Sequence, residues 1–65
     1  MTDLQIRGLL LIKGYSMIKA AEEIGVSVNM VWMVINRQRT SARVRRWIAD
    51  TVGLSVDQIW PPKAS

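Results

Sequence analysis

Two short helical segments separated by a glycine dominate the pattern of hydrophobic and polar residues in this chain. Residues 17–24 show apolar or small side chains at helical spacing, and Ser16 is suited to cap that helix because its hydroxyl can accept a hydrogen bond from an unpaired backbone N–H. Gly25 is expected to end the helix in the left-handed conformation, which glycine adopts without a Cβ clash. Ser27 then caps a second helix over residues 28–35. Two helices this short, joined through a glycine, predict a bent helix-turn-helix unit.

The flanking segments predict three further helical elements. A first helix is expected over residues 4–13, and its leucine and isoleucine side chains make it more apolar than a half-buried surface helix requires. A later helix is expected to end near Val52, and a last turn is expected to run through Ile59. The expected N-caps of these elements are Asp3, either Thr40 or Ser41, and Ser55.

No strand alternation, repeat or linker is present in the sequence. The fold prediction is therefore an all-α domain of four helices and a terminal fifth turn over residues 1–62, followed by a short tail at 63–65 that should fray. Within the domain, Tyr15 is expected to pack back over the first helix. Arg46 and Asp50 are four residues apart on one helix and are expected to be able to pair.

Basic residues are concentrated in one part of the chain. Nine Lys and Arg stand against five Asp and Glu, for a net charge of +4, and residues 37–46 hold five arginines and no acid. Such clustering is typical of a protein that binds a polyanion, and the arginine guanidinium matches phosphate geometry better than an ammonium does. The alternative interpretation, a solvated helix face, stays open for Arg45 and Arg46.

The residue types that are missing exclude several function classes. The chain has no cysteine and no histidine, which excludes disulfides, argues against a zinc site and removes the commonest general base. The longest apolar run, residues 9–12, is far shorter than a membrane span. We therefore expect a non-enzymatic cytoplasmic protein with no cofactor, no small-molecule substrate and no membrane partner.

Three residues have the spacing of the helix-turn-helix DNA reader: Ala21 where the two helices cross, Gly25 at the turn and Val31 beneath the crossing. With these, and with Gly14-Tyr15-Ser16 at the entry to the second helix, the chain resembles phage repressors and Cro-type regulators. Residues 48–62, with their Ile-Trp-Pro sequence, resemble the ending of the small Ner-like phage regulators. The resemblance implies a compact lambda-repressor-like fold and sequence-specific binding of double-stranded DNA, usually as a phage or prophage repressor.

The resemblance also implies where DNA would be read. The N-terminal part of the second motif helix enters the major groove, and Asn29 is the only side chain there able to form two hydrogen bonds to adenine N6 and N7. Apolar side chains on the same helix can contact a thymine methyl group, so an A/T-containing half-site is expected. The predicted base-reading residues are Ser27, Val28, Asn29 and Met33.

Phosphate contacts are expected from the first motif helix, from the connection after the recognition helix and from the first turn of the next helix. Met17 occupies a position where many members of the resembled family carry Gln, so only its backbone N–H is left for a phosphate. The predicted phosphate-binding residues are Met17, Lys19, Asn36, Arg37, Arg39, Thr40 and Arg43.

The recognition helix, residues 28–35, is unusually apolar. Apolar side chains left exposed on it could bind another protein, which is a second possible function. Trp32 is expected to be exposed, against the sugar-phosphate backbone, a second subunit or the fourth helix. Trp60 is assigned to the core or to a dimer contact, so a homodimer on DNA, with half-sites about 34 Å apart, stays open. The alternative function is a non-catalytic protein-interaction module on the same fold, with Trp32 and Met33 as exposed anchors.

Overall fold

The computed structural model describes residues 1–62, and all regular secondary structure within them is helical. The helices are α1 (Asp3–Ile12), α2 (Met17–Ile24), α3 (Val28–Ile35), α4 (Ala42–Val52) and α5 (Val56–Ile59). The prediction of an all-α domain with four helices and a fifth turn is confirmed. The predicted fraying of residues 63–65 falls outside the described residues.

Serine hydroxyls begin four of the five helices. Each accepts a hydrogen bond from the backbone N–H three residues further on, at 3.1 to 3.3 Å. This bond supplies a partner for one of the first-turn N–H groups, which have no acceptor inside the helix. The four caps are Ser16, Ser27, Ser41 and Ser55.

The first helix begins one residue earlier than the pattern predicts, and the expected cap at Asp3 is wrong. The backbone N–H of Gln5 donates to Thr2 Oγ1 at 3.2 Å, and the backbone N–H of Thr2 donates to Gln5 Oε1 at 2.9 Å. This reciprocal capping box provides acceptors for two N–H groups at once. Asp3 instead pairs with Arg7 at 3.5 Å, the one ion pair within residues 1–62.

The domain is built around the crossing of α2 and α3, which pack against each other more extensively than any other pair of helices. Ala21 is buried in this contact, and Gly25 has a φ of 86°, so the chain leaves α2 through a left-handed cap and turns directly into α3. The α4 helix contacts α1, α3 and α5 and thereby closes the core. The core consists of Ile6, Leu10, Ala21, Ile24, Val31, Val34, Ile35, Val44, Ile48, Ala49, Ile59 and Trp60.

Trp60 belongs to this core, which is one of the two placements expected for it, and its burial leaves little of the ring for the possible interface. It is only 4% exposed, and the guanidinium of Arg45 lies over its ring at 5.0 Å from the ring centroid. Burial of a side chain this large stabilises the fold by an amount comparable to several aliphatic contacts. The short α5 turn exists chiefly to bring Ile59 and Trp60 against α4.

The side-chain packing adds a contact at Tyr15 and corrects the expectation for Arg46. The ring of Tyr15 meets Trp47 of α4 edge to face, with 5.1 Å between ring centroids, so Tyr15 connects the entry of α2 to α4. Arg46 and Asp50 do not form the expected ion pair. The α1 helix carries more apolar residues than the core takes up, since Leu4, Leu11 and Ile12 are largely exposed. None of the described helices has the length and apolar character that spanning a bilayer requires.

The turn at Gly25 gives a direct test of the helix-turn-helix geometry. Gly25→Ala should lower the free energy of unfolding by about 1–2 kcal/mol, because alanine is disfavoured at a left-handed φ. Space is not the cause, since a Cβ at Gly25 would meet its nearest neighbour, Arg43 Nη2, at an ordinary 3.5 Å. Urea denaturation of both proteins measures the difference.

Gly8 supplies the matched control for this substitution. It lies inside α1, and a Cβ at this position would have no neighbouring atom within 4 Å. Gly8→Ala should therefore raise the free energy of unfolding by about 0.5–1 kcal/mol through helix propensity. Equal effects of the two substitutions would contradict the left-handed turn at Gly25.

Candidate nucleic-acid interface

The α3 helix has one face in the core and one face open to solvent. Val31, Val34 and Ile35 are buried on the inner side. Ser27, Val28 and Asn29 are all exposed at its N-terminal end. The helix therefore presents its first turn outward while its second half anchors it, which is the orientation that a helix must have to enter a groove with its N-terminal residues.

The two polar residues of this first turn differ in what they can offer. Ser27 Oγ accepts the capping bond from the backbone N–H of Met30 at 3.2 Å, so the hydroxyl keeps its own proton to donate to an outside acceptor. Asn29 makes no side-chain hydrogen bond within residues 1–62, and both its amide NH₂ and its carbonyl are free for recognition. Asn29 is therefore the better equipped of the two for reading a base edge.

The apolar residues in the middle of α3 are less exposed than the sequence predicts. Trp32 is half-buried, and the guanidinium of Arg7 from α1 lies over its ring at 4.8 Å from the ring centroid. Met33 is half-buried as well. The expectation of an outward-facing Trp32 is therefore corrected, because a cation–π contact with α1 covers part of the ring. Sequence reasoning missed Arg7 because its partner lies 25 positions away and no local pattern connects them.

The end of α3 is closed by a Schellman motif that places an arginine where glycine is usual. The backbone N–H of Arg37 donates to the Val34 carbonyl at 3.2 Å, and that of Gln38 donates to the Met33 carbonyl at 2.9 Å. Arg37 consequently has a φ of 62°, the one positive φ at a non-glycine residue within the described part of the chain. Its guanidinium donates to the backbone carbonyl of Met1 at 3.2 Å. A strained backbone is thus kept at a predicted phosphate-binding residue.

Arg43 has a structural partner that the sequence did not indicate. Its Nη2 donates to the backbone carbonyl of Ile24, the last residue of α2. A cation at a helix C-terminus interacts favourably with the carbonyl end of the helix dipole. This contact brings the first turn of α4 beside the turn between α2 and α3, so Arg43 braces the motif. Its predicted phosphate contact would have to use the remaining N–H groups of the guanidinium.

Most of the other predicted phosphate-binding side chains are exposed to solvent. Asn36, Arg39 and Thr40 are exposed in the connection between α3 and α4, and Arg39 makes no side-chain hydrogen bond or ion pair within residues 1–62. Lys19 is exposed on α2, with its Nζ 5.8 Å from the Tyr15 ring centroid.

Met17 has only its backbone N–H available for the predicted phosphate contact, which stays a prediction. Its side chain packs against the core, while its backbone N–H lies at the start of α2, ahead of the first N–H that bonds back to Ser16. Helix starts of this kind attract phosphate through their unpaired N–H groups and the helix dipole.

The lysine and arginines that are predicted to bind phosphate have no acidic partner within residues 1–62. The predicted phosphate-binding cations stand on α2, the α3–α4 connection and α4, and none of them forms an ion pair there. The first turns of α2, α3 and α4 contain no acid. Within residues 1–62, no three acidic side chains gather at one place. The arrangement is suited to holding a polyanion along the outer side of α3.

Comparison with known proteins yields no match to a family model, a curated protein or a solved structure. The interpretation of this surface therefore depends on the side chains themselves and on the arrangement of α2, α3 and α4.

Proposed function

We propose that this protein is a sequence-specific double-stranded DNA-binding regulator, and that it represses transcription by occupying an operator. The observation that carries the proposal is the division of α3 into a buried inner face and an open first turn, where Asn29 has no partner within the described chain. A recognition helix needs this combination, because the inner face fixes its position while the N-terminal turn meets base edges.

Charge supports the same proposal. The chain has a net charge of +4, and the connection after α3 is open and free of acids at Asn36, Arg39 and Thr40. Contacts to phosphate supply affinity without sequence preference, and contacts to base edges supply specificity. In this proposal Arg39 and the start of α2 hold the phosphate backbone on either side of α3, while Asn29 selects adenine.

Repression by occlusion needs no cofactor and no second domain. A protein bound across a promoter excludes polymerase from the same DNA, so binding alone is the regulatory act. The protein-interaction alternative relied on an exposed Trp32 and Met33, and both side chains are half-buried. This partial burial favours DNA binding over the alternative, because it leaves less apolar surface on α3 for a protein partner.

Asn29→Ala should weaken binding to the preferred DNA by about 1–3 kcal/mol, because the bidentate contact to adenine is lost. The preferred duplex is first selected from a random pool with the wild-type protein, and affinity is then measured by fluorescence anisotropy. Binding to a scrambled duplex should be unchanged. Equal losses on both duplexes would show that Asn29 does not read a base, and failure to enrich any sequence would overturn the proposed specificity.

Arg39→Ala should weaken binding to every duplex alike and reduce the slope of log K against log salt by about one, since one phosphate contact disappears. Lys13→Ala is the matched control, because Lys13 is an exposed cation just beyond α1. Titrations at several salt concentrations measure both slopes. If Arg39→Ala and Lys13→Ala change the slope equally, Arg39 responds only as part of the net charge.

Arg37→Gly should lower the affinity for DNA without lowering the stability of the fold. Glycine relieves the positive φ, so the free energy of unfolding should stay level or rise by about 1 kcal/mol despite the lost contact with Met1. DNA affinity should fall on all sequences if Arg37 contacts phosphate. Denaturation and anisotropy are measured on the same protein, and a stability gain with undiminished affinity would remove Arg37 from the phosphate-binding set.

A further inference from the structure

A groove of about 450 Å³ lies between α4 and α5, and Thr40 is the one residue of its lining that the proposed DNA contact also uses. Its floor is apolar, with Ala49, Leu54 and Val56, and its rim carries charge from α4. The rim residues are Arg45, Arg46 and Asp50.

The charges of this rim are not neutralised within the described chain. No ion pair forms between Asp50 and either arginine. Arg45 is held in place by its stacking on Trp60, and its Nε is buried with no hydrogen-bond partner. The groove therefore offers two cations and one anion in a fixed order, and one of the cations loses little conformational entropy on binding because it is already positioned.

The exposed face of α2 carries the opposite set of charges. Glu22 and Glu23 are the only adjacent acids in the chain, and both are exposed, as is Lys19. Ile18, on the same face, is 64% exposed. Helical spacing places Ile18 beside Glu22 and Lys19 beside Glu23 in two parallel rows.

We propose that α2 of one copy of this protein binds in the α4–α5 groove of a second copy, with the two helices antiparallel. Along α4 the rim charges run positive, positive, negative at positions 45, 46 and 50. In the reverse direction, one row of α2 runs from Glu23 to Lys19 and the other from Glu22 to Ile18. The matching rows of α4 run from Arg46 to Asp50 and from Arg45 to Ala49. Antiparallel packing of row on row opposes Arg46 to Glu23, Asp50 to Lys19 and Arg45 to Glu22. It also places Ile18 over Ala49 of the apolar floor, whereas parallel packing would oppose like charges.

The contact joins two different surfaces, so it does not close on itself as a symmetric dimer does. Each copy keeps a free groove at one end and a free α2 face at the other, and copies can add head to tail. Neither surface includes the first turn of α3, so self-association leaves Ser27 and Asn29 open. Two residues are shared with the proposed DNA contact. Lys19 changes its assignment from phosphate to Asp50 of the next copy, and Thr40 lines the groove.

Charge reversal tests the contact in the absence of DNA. Sedimentation velocity at low ionic strength, from micromolar to millimolar protein, should show a weight-average mass that rises with concentration. Arg46→Glu and Glu23→Arg should each weaken association at least about tenfold, because like charges then face each other across the contact. The double variant Arg46→Glu/Glu23→Arg should regain association, since the reversed pair is again of unlike sign.

Lys13→Glu is the matched control, because it makes the same charge change on an exposed residue outside the groove, the α2 face and the proposed DNA contact, and it should leave association unchanged. Circular dichroism melts confirm that each variant folds; both substituted positions are exposed. A wild-type protein that stays monomeric over the whole range overturns the proposal, as does a double variant that fails to regain association. Loss of DNA affinity in Arg46→Glu with self-association intact would instead assign the rim to phosphate.

Discussion

The close crossing of α2 and α3 is the constraint on which the rest of the domain depends. The helices can approach because Ala21 places only a methyl group between them, and the chain can turn at once because Gly25 accepts a left-handed conformation. Arg43 then reaches from α4 to the last carbonyl of α2 and holds the turn from outside. The crossing fixes which side of α3 enters the core, and so decides which residues are left for a ligand.

Most helix limits of this fold can be predicted from the sequence, because the residues that set them act locally. A serine cap or a terminal glycine acts within one helical turn, so the limits of α2 and α3 and the starts of α4 and α5 follow from spacing. The start of α1 differs because two caps compete there, and the capping box at Thr2 and Gln5 satisfies more N–H groups than a cap at Asp3. The assignment of Trp60 between core and interface required the tertiary structure, since an apolar stripe does not reveal what covers it.

The position of the candidate site could be predicted from the sequence, whereas the tertiary contacts of its arginines could not. Spacing from Gly25 and Ser27 is enough to place Asn29 on the outer first turn of α3. It is not enough to give the partners of Arg43, Arg37 and Arg7, because each guanidinium reaches a carbonyl or ring from another segment. Arginine has a long side chain with five donors, so its neighbours in sequence say little about where its charge is used.

The side chains that cap the helices are uncharged, and this determines which surface substitutions the fold tolerates. Hydroxyl groups begin all five helices. The single ion pair within residues 1–62 is a partly exposed one on α1, and such a pair is worth only a few tenths of a kcal/mol, on the order of 0.3–0.5. No helix therefore depends on a charged cap. Four arginines contact carbonyls or rings of other segments: Arg7, Arg37, Arg43 and Arg45. The other surface charges can be exchanged one at a time at small cost in stability, so new partners are open to this domain.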